Sequence, residues 1–480
     1  MIENIKEKSV TGALWISFQK GGGLLISFVA NLVLARLLPP KDYGCIGMLA
    51  IFIAVAQTFI DGGFGAALIQ KRQPSEQEYS TIFYFNIFIA LFCYAILFYS
   101  APFIADFYHI PLLCDVLRVQ GIILFFNSFC LIQTSRLLKQ LNFKVLSVVS
   151  MASVFGGSLL GIFFAYQGYG VWSLVIKELF SAFVSVMVLW FLCKWHPLLS
   201  FKFRLLKGLF RYGSMILLSS IVSQIYGNIQ GLIIGRSFSA ANLGYYTQAK
   251  KIENVPSSVF GEIIQKVTFP VFSLMSDNFP VLKENVRKNI QVLNYVTFAV
   301  MTLLYLIAEP LFLLVFTEKW SASVPFFRIL CLAAMLDPLN TVNTQIFKAI
   351  GRSDIFFVLQ FVKRIIGIAV ILFFIRWGLM AMMWALVINA YSFYVLNMIF
   401  TSRCLNYTFK EQMGDVLPNL SLCLGIIIGG NFISFNSYSA IIEILLMTLA
   451  FVLFYITISW ILRLEGGSII YKIVKDKFTQ

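Results

Sequence analysis

Charge is scarce in this chain, and histidine scarcer still. Only 12% of the 480 residues are Asp, Glu, Lys or Arg, two are histidine, and 59% are hydrophobic, with a mean hydropathy of +0.84. Such a composition cannot supply a soluble fold with a polar surface, so lipid has to be the main solvent. Left in water, its long apolar runs would forfeit roughly 1.5–3 kcal/mol for each large side chain that burial would otherwise stabilise. The sequence has no G-x-x-x-x-G-K-[ST] loop, so the chain supplies no ATP hydrolysis of its own. It has no H-E-x-x-H and no Cys/His cluster, hence no expected metal site or bound cofactor. His109 and His196 sit close to prolines at expected membrane interfaces. Ser/His/Asp chemistry needs a histidine inside a cleft, so neither qualifies. Long loops are missing too, which leaves no room for a soluble catalytic domain.

What charge there is leans positive, to a formal +15. The basic residues are spread singly or in small groups between apolar runs, with no contiguous basic domain, so nucleic acid is not an expected partner. Eight cysteines (Cys45, Cys93, Cys114, Cys130, Cys193, Cys331, Cys404, Cys423) fall mostly inside hydrophobic stretches and form no CxxC pair. They read as small apolar packing residues.

A hydrocarbon core of about 30 Å takes roughly twenty helical residues. On that ruler the sequence predicts an all-α polytopic membrane protein of about fourteen spans. Their cores lie at 12–38, 43–69, 80–105, 113–137, 145–166, 170–193, 209–235, 244–275, 290–316, 324–347, 355–376, 379–400, 416–435 and 438–462. The first is too long for a signal-peptide core and lacks a small-residue cleavage site, so it is expected to be retained. Cytoplasmic loops hold the Lys and Arg excess. With the N-terminus inside, that side collects Lys6, Lys8, Lys71, Arg72, Arg136, Lys139, Lys144, Lys194, Lys202, Arg204, Lys207 and Arg211, then Lys283, Arg287, Lys288, Lys348, Arg352, Arg403, Lys410 and the basic tail. The opposite face keeps only Arg36, Lys41, Arg236, Lys319 and Arg376. Both termini are expected to be cytoplasmic.

The two halves echo each other. Leu32-Val33-Leu34-Ala35-Arg36 with Gly44 recurs, at an offset of 200 residues, as Leu232-Ile233-Ile234-Gly235-Arg236 with Gly244. Trp172-Ser173-Leu174-Val175-Ile176 is echoed by Trp384-Ala385-Leu386-Val387-Ile388. Spans one to six thus repeat as seven to twelve, and an even number of spans per repeat sets both copies the same way up. The expected domains are a six-helix lobe over 1–200, a second over 201–405, and two extra helices with a tail over 406–480.

Polar groups inside spans are costly and tend to face a cavity or a partner. Lys20 and Asn31 belong to a polar stripe on span one, and Ser220, Gln224 and Asn228 to one on span seven, beside a small-residue row of Gly227, Gly231 and Gly235. Span eight carries Lys251, Asn254, Ser258 and Glu262 on one side, with Pro256 expected to kink it. Span eleven carries Lys363 and Arg364, while Arg118 and Arg328 open spans four and ten. Lys20, Asn31, Arg118, Gln224, Asn228, Lys251, Glu262, Arg328, Lys363 and Arg364 are therefore the candidate substrate contacts, lining a net cationic cavity suited to phosphate or acidic sugar. Lys20 has a rival reading as a snorkelling side chain. Asp61, before Gly62-Gly63, is a candidate for a coupling ion, sodium or proton, with a helix-end role as its alternative.

Residues Leu34 to Gly44 (LARLLPPKDYG), Phe59 to Gln70 (FIDGGFGAALIQ), Tyr79 to Asn86 (YSTIFYFN) and Ala349 to Asp354 (AIGRSD) resemble the Wzx-type polysaccharide flippases of the multidrug/oligosaccharidyl-lipid/polysaccharide superfamily. The resemblance runs over nearly the whole chain. It implies a transporter, not an enzyme, in the bacterial cytoplasmic (inner) membrane. Its cargo would be an undecaprenyl-diphosphate-linked oligosaccharide, carried from the cytoplasmic to the periplasmic leaflet by alternating access, for surface polysaccharides such as the O-antigen of lipopolysaccharide. Implied partners are the lipid-linked oligosaccharide, membrane lipids, and polysaccharide polymerase and export proteins. In the related lipid II flippases two extra C-terminal helices help form a groove for the lipid tail, which spans thirteen and fourteen would do here. Two rival functions stand beside this one: an ion-coupled multidrug exporter of the same superfamily, favoured by an acidic cavity, and a membrane glycan polymerase or ligase, disfavoured by the short outer loops.

Overall fold

Among the described residues twelve helices combine the length and apolarity needed to cross a membrane, and they coincide one for one with twelve of the fourteen expected spans. The other two are expected spans one and eight, the ones richest in polar and small residues. Span one contains a shorter apolar stretch, Gly21–Leu37, and span eight is a broken helix. The computed structural model describes residues 2–71, 73–432 and 439–478, among which there is no strand. By its contacts the chain separates into two compact units, 1–244 and 245–480.

The first unit holds α1 (Ile2–Leu37), α2 (Pro40–Asp61), α3 (Phe64–Gln70), α4 (Glu76–Tyr108), α5 (Leu112–Gln120), α6 (Ile123–Lys139), α7 (Phe143–Tyr166), α8 (Val171–Cys193) and α9 (Phe203–Ser237). Lipid gives apolar side chains no reason to leave it, so helices here associate through close packing and hydrogen bonds. At the α7–α8 seam a Cβ on Gly157 would stand 2.5 Å from the Lys177 carbonyl, and one on Gly161 would stand 2.7 Å from Lys177 Cβ. The Ser185 hydroxyl bonds that of Ser153 across the same seam at 2.7 Å. Helix α9, expected to open the second lobe, packs on α2, α3 and α4, and the contact division falls at 244. Its glycine row is what allows the approach: Gly235 lies against Met48 and Tyr108, and Gly231 faces the Gly47 carbonyl.

The repeated motif meets itself. A Cβ on Gly44 would fall 1.7 Å from the Ala240 carbonyl oxygen, and one on Gly244 would fall 1.9 Å from that of Pro40. The two turns, 200 residues apart in sequence, press backbone to backbone, and each needs a glycine to do so.

The ends of α3, α4 and α6 are tied by charge. Ser75 and Glu78 form a capping box at the start of α4. Glu78 also pairs with Lys71, and Arg136 pairs with Glu76 at 2.7 Å while lying over the Tyr79 and Trp195 rings. Lys139 donates to the Leu68 and Ile69 carbonyls at 3.1 and 3.3 Å and to that of Lys71, placing a cation at the C-terminal end of α3. The LIQ end of the Phe59–Gln70 motif and the start of YSTIFYFN are thus joined through these contacts.

Helix α10 (Ala240–Ile263) leads into the second unit, runs through Pro256, and gives way to a π-helical turn at Ile264–Thr268 before α11 (Phe269–Leu274). Next come α12 (Phe279–Leu306), α13 (Ala308–Phe316), α14 (Ser323–Ala334), α15 (Asp337–Ala349), α16 (Ser353–Phe374) and α17 (Leu379–Leu405). Helices α18 (Phe409–Gly430), α19 (Ala440–Ile461) and α20 (Glu465–Phe478) complete the unit. Helix α12 is its hub, packing on α14, α15, α18 and α20. Asp415 on α18 accepts from Arg287 Nε and Nη2 at 2.7 and 2.8 Å, from Gln291 at 2.7 Å, and from the Tyr407 hydroxyl. Deeper in, Asn419 donates to Asn294 and accepts from the Tyr455 hydroxyl at 2.9 Å, so α12, α18 and α19 share one polar seam.

Replacing Gly44 or Gly244 with valine is expected to destabilise the protein by about 2 kcal/mol or more, since a backbone carbonyl has to be displaced. Gly414→Ala, with nothing within 4 Å of the new methyl, is the control. Thermal unfolding in detergent checks this, and midpoints matching wild type in the valine variants would show that the two turns do not touch.

Candidate functional site

Helix α2 ends at Asp61 because Gly62 and Gly63 both take positive φ, 47° and 69°, reversing the chain into α3. The reversal leaves the Asp61 side chain at the mouth of a cavity of about 530 Å³ in the first unit. Its wall is made by the end of α2 (Thr58, Asp61), the following turn and α3 (Gly63, Gly65, Ile69), α6 (Asn127, Cys130, Leu131, Thr134, Ser135, Leu138) and α9 (Leu217, Ser220, Gln224).

The polar groups of this wall are ordered as a relay. Asn127 Nδ2 donates to Gln57 Oε1 at 2.8 Å, and Gln57 Nε2 donates to Asp61 Oδ1 at 2.8 Å. Among the described residues that is the one hydrogen bond Asp61 receives, so the carboxylate keeps acceptor capacity for a ligand. Thr58 and Ser135 hydroxyls spend their protons on carbonyls of their own helices, Ala54 at 2.7 Å and Leu131 at 2.9 Å, and retain lone pairs. From α9, Gln224 faces in, with Asn228 one turn on donating to its carbonyl oxygen at 2.9 Å. Among the described residues the lining holds hydroxyls, amides and a carboxylate and neither lysine nor arginine, with leucine and isoleucine between them. Such a wall matches a ligand of many hydroxyls, each both donor and acceptor, presented on an apolar ring face.

A second cavity, of about 260 Å³, lies in the second unit between the end of α12 and helices α18 and α19, the expected spans thirteen and fourteen. It is walled by Leu306, Gly425, Ile426, Gly429, Met447, Phe451 and Phe454. A Cβ on Gly425 or Gly429 would meet nothing within 4 Å, so these glycines keep the groove open.

Asp61 and Gln224 come together in one cavity, with Asn228 attached through Gln224. Among the described residues the other candidates do not line this cavity. Arg118 stacks over Phe98 at 4.5 Å and donates to its carbonyl. Arg328 lies 3.6 Å from the Glu309 carboxylate and over Tyr305. Glu262 pairs with Lys266 at 3.4 Å, and Lys251 lies exposed on α10. Lys363 is 7% exposed, donates to Asn397 Oδ1 at 2.5 Å, and Asn397 in turn donates to Asn340 at 2.7 Å. Arg364, its neighbour on α16, is partly buried, as is Asn31 on α1. Lys20 belongs to α1, but its side chain lies outside the described residues. Asn127, Gln57 and Thr134 escaped the sequence reading. Gln57 and Asp61 stand four apart on one helix, a signal that was available; Asn127 is 70 residues from Gln57 and gave none.

The family model described as polysaccharide biosynthesis protein matches residues 33–325. Teichuronic acid biosynthesis protein TuaB of Bacillus subtilis is 28% identical over 359 residues, 74% of this chain and 74% of that protein. Lipopolysaccharide biosynthesis protein WzxC of Escherichia coli is 24% identical over 375 residues, 77% and 75% of the two chains. Succinoglycan biosynthesis transport protein ExoT of Rhizobium meliloti is 24% identical over 394 residues, 81% and 80%. Among solved structures, lipid II flippase MurJ in an inward closed conformation matches with a TM-score of 0.73 at 13% identity, over 94% of this chain and 99% of that one. An inward-facing multidrug resistance transporter of the MATE family matches at 0.63 and 16% identity, over 80% and 95%. At these identities the structural likeness is one of fold.

If the Asp61 cavity is aqueous, cysteines placed at Ser220 and Gln224, in a chain whose native cysteines are replaced by serine or alanine, will react with a charged, membrane-impermeant thiol reagent in open membranes. A cysteine at Leu218, an exposed apolar position of the same helix, will not. Equal labelling at all three positions would remove the cavity.

Proposed function

Because this chain belongs to the polysaccharide biosynthesis protein family, we propose that it flips an undecaprenyl-diphosphate-linked oligosaccharide from the cytoplasmic to the outer leaflet of the bacterial cytoplasmic membrane. The observation that carries the reading is the hydroxyl- and amide-lined Asp61 cavity set among membrane helices. An oligosaccharide cannot cross hydrocarbon unaided, since each hydroxyl stripped of water and left unpaired costs about 1–3 kcal/mol or more. A wall of alternating acceptors and donors offsets that cost while the sugar is out of water.

In this reading the tail stays in an apolar environment throughout. The groove of α18 and α19, apolar and kept open by Gly425 and Gly429, is the place for its first isoprene units. Access alternates between the two sides, and the chain breaks no covalent bond. Of the expected substrate contacts Gln224 and Asn228 are retained on α9, and Asp61 is assigned to the coupling ion, proton or sodium, whose binding competes with the sugar for the same carboxylate. The relay from Asn127 through Gln57 holds that carboxylate in place.

A second reading is export of cationic drugs. It is favoured by one observation, a carboxylate in a cavity whose described lining residues include neither lysine nor arginine. Family membership places the polysaccharide reading first.

Purified protein in liposomes carrying a fluorescent lipid-linked oligosaccharide should speed loss of signal to an external quencher, with Asp61→Ala and Gln224→Ala each slowing the rate about tenfold or more, the loss of one charge-assisted or well-placed hydrogen bond. Rates equal to protein-free liposomes, together with accumulation of a cationic dye, would replace the first reading with the second.

A further inference from the structure

The Ala349–Asp354 motif takes no part in either cavity described so far. Its turn is closed by backbone bonds from Gly351 to the Lys348 carbonyl at 3.2 Å and from Arg352 to that of Phe347 at 2.9 Å, with Gly351 at φ 73°. This closure makes one wall of a third cavity, of about 490 Å³, in the second unit. Arg352 and Arg403 line it together with Phe279, Ile350, Ile355 and Phe400. Helices α12 and α16 begin here, and α15 and α17 end here, so the cavity lies on the side expected to be cytoplasmic from the loop charges.

Its charge is unevenly answered. Arg352 is held by its near neighbour Asp354, Nε at 3.0 Å and Nη2 at 2.8 Å. Arg403 forms no ion pair among the described residues, and its guanidinium lies 5.9 Å from the centre of the Phe400 ring. Two planar guanidiniums, one of them occupied by an exchangeable carboxylate, are set among large apolar side chains. Guanidinium forks match pairs of phosphate oxygens, whereas phenylalanine and isoleucine have nothing to offer a free aqueous anion.

We propose that the Arg352–Arg403 cavity is a receiving site for the diphosphate of a polyprenyl lipid on the cytoplasmic side, with Asp354 as a built-in competitor that occupies Arg352 until the lipid arrives. The inference rests on the transport reading above and gives it an entry point. The diphosphate bridges the two guanidiniums, and the apolar wall takes the hydrocarbon next to it. Asp354 keeps the empty site from holding any passing anion firmly, and its carboxylate is released to water when the lipid binds.

The shared chemistry, a phosphate on a hydrocarbon, also describes an anionic phospholipid, and phosphate alone describes a free anion. The test therefore uses three probes with full-length protein in phosphatidylcholine nanodiscs: undecaprenyl diphosphate, phosphatidylglycerol and inorganic pyrophosphate. Binding of undecaprenyl diphosphate should fall about tenfold in Arg352→Gln and in Arg403→Gln, and tighten severalfold in Asp354→Asn. The last variant separates binding from support of the fold, since a merely structural pair would make Asp354→Asn behave like Arg352→Gln. Equal affinity for phosphatidylglycerol or for pyrophosphate would overturn the diphosphate assignment, as would Arg→Gln variants that bind like wild type. The liposome rate measured on the same samples keeps the two claims apart. Wild-type flipping with unaltered binding in the variants removes the receiving site alone, and absence of wild-type flipping removes the transport reading whatever the binding shows.

Discussion

In hydrocarbon, a polar group that the protein does not answer stays unanswered. That constraint organises much of the chain, because it favours intramembrane polar residues that have found a partner or that face a cavity; Asn86 and Gln248, buried with no hydrogen-bond partner for their side-chain amides among the described residues, stand outside it. Asp415, with four donors around it, is of the first kind, and so is Lys363 against Asn397. So too is Glu253, fully buried beside Lys250 at 2.6 Å and bonded by Ser257. Replacing one member of such a set leaves the other without water or partner, which is why paired intramembrane charges read as fixtures of the fold. Asp61 is of the second kind: Gln57 holds it in place, and among the described residues no other hydrogen bond reaches its carboxylate.

The sorting separates what the sequence made legible from what it did not. Span positions were readable because they depend only on local hydropathy, and the exceptions, α1 and α10, are the helices whose polar stripes had already stood out. The 200-residue echo was readable because repetition survives in the letters, and the structure gives it a physical correlate at Gly44 and Gly244. Partners distant in sequence were not readable. Nothing near Lys363 announces that Asn397, 34 residues on, occupies its ammonium, and nothing near Asn127 announces Gln57. Counting intramembrane lysines and arginines led to the expectation of a cationic cavity between the halves, and the hydroxyls, amides and carboxylate that line the Asp61 cavity among the described residues belong to the first unit alone. The same limit affected α9: its glycine row was visible, but the face it packs against was not.

Charge and hydrogen-bonding capacity are thus divided by task. The basic residues at the helix ends tie α3, α4 and α6 together in the first unit, and α12 and α18 in the second, through Glu76, Glu78, Glu411 and Asp415. Neutral polar side chains and one carboxylate line the Asp61 cavity among the described residues, and small residues govern how closely helices approach. A sugar bound by neutral groups is held by many modest contacts that can be exchanged one at a time. A sugar clamped by several unscreened charges would be slow to leave, a poor property for a carrier.

The reciprocal contact of the Gly44 and Gly244 turns bears on ancestry. Each turn is the other's partner through equivalent atoms, the pattern of a self-complementary interface between two identical subunits. A half-length precursor that assembled as a symmetric pair would have required only one glycine to make both sides of this junction. Duplication and fusion would then have inherited a working seam, with the same glycine on both sides of it.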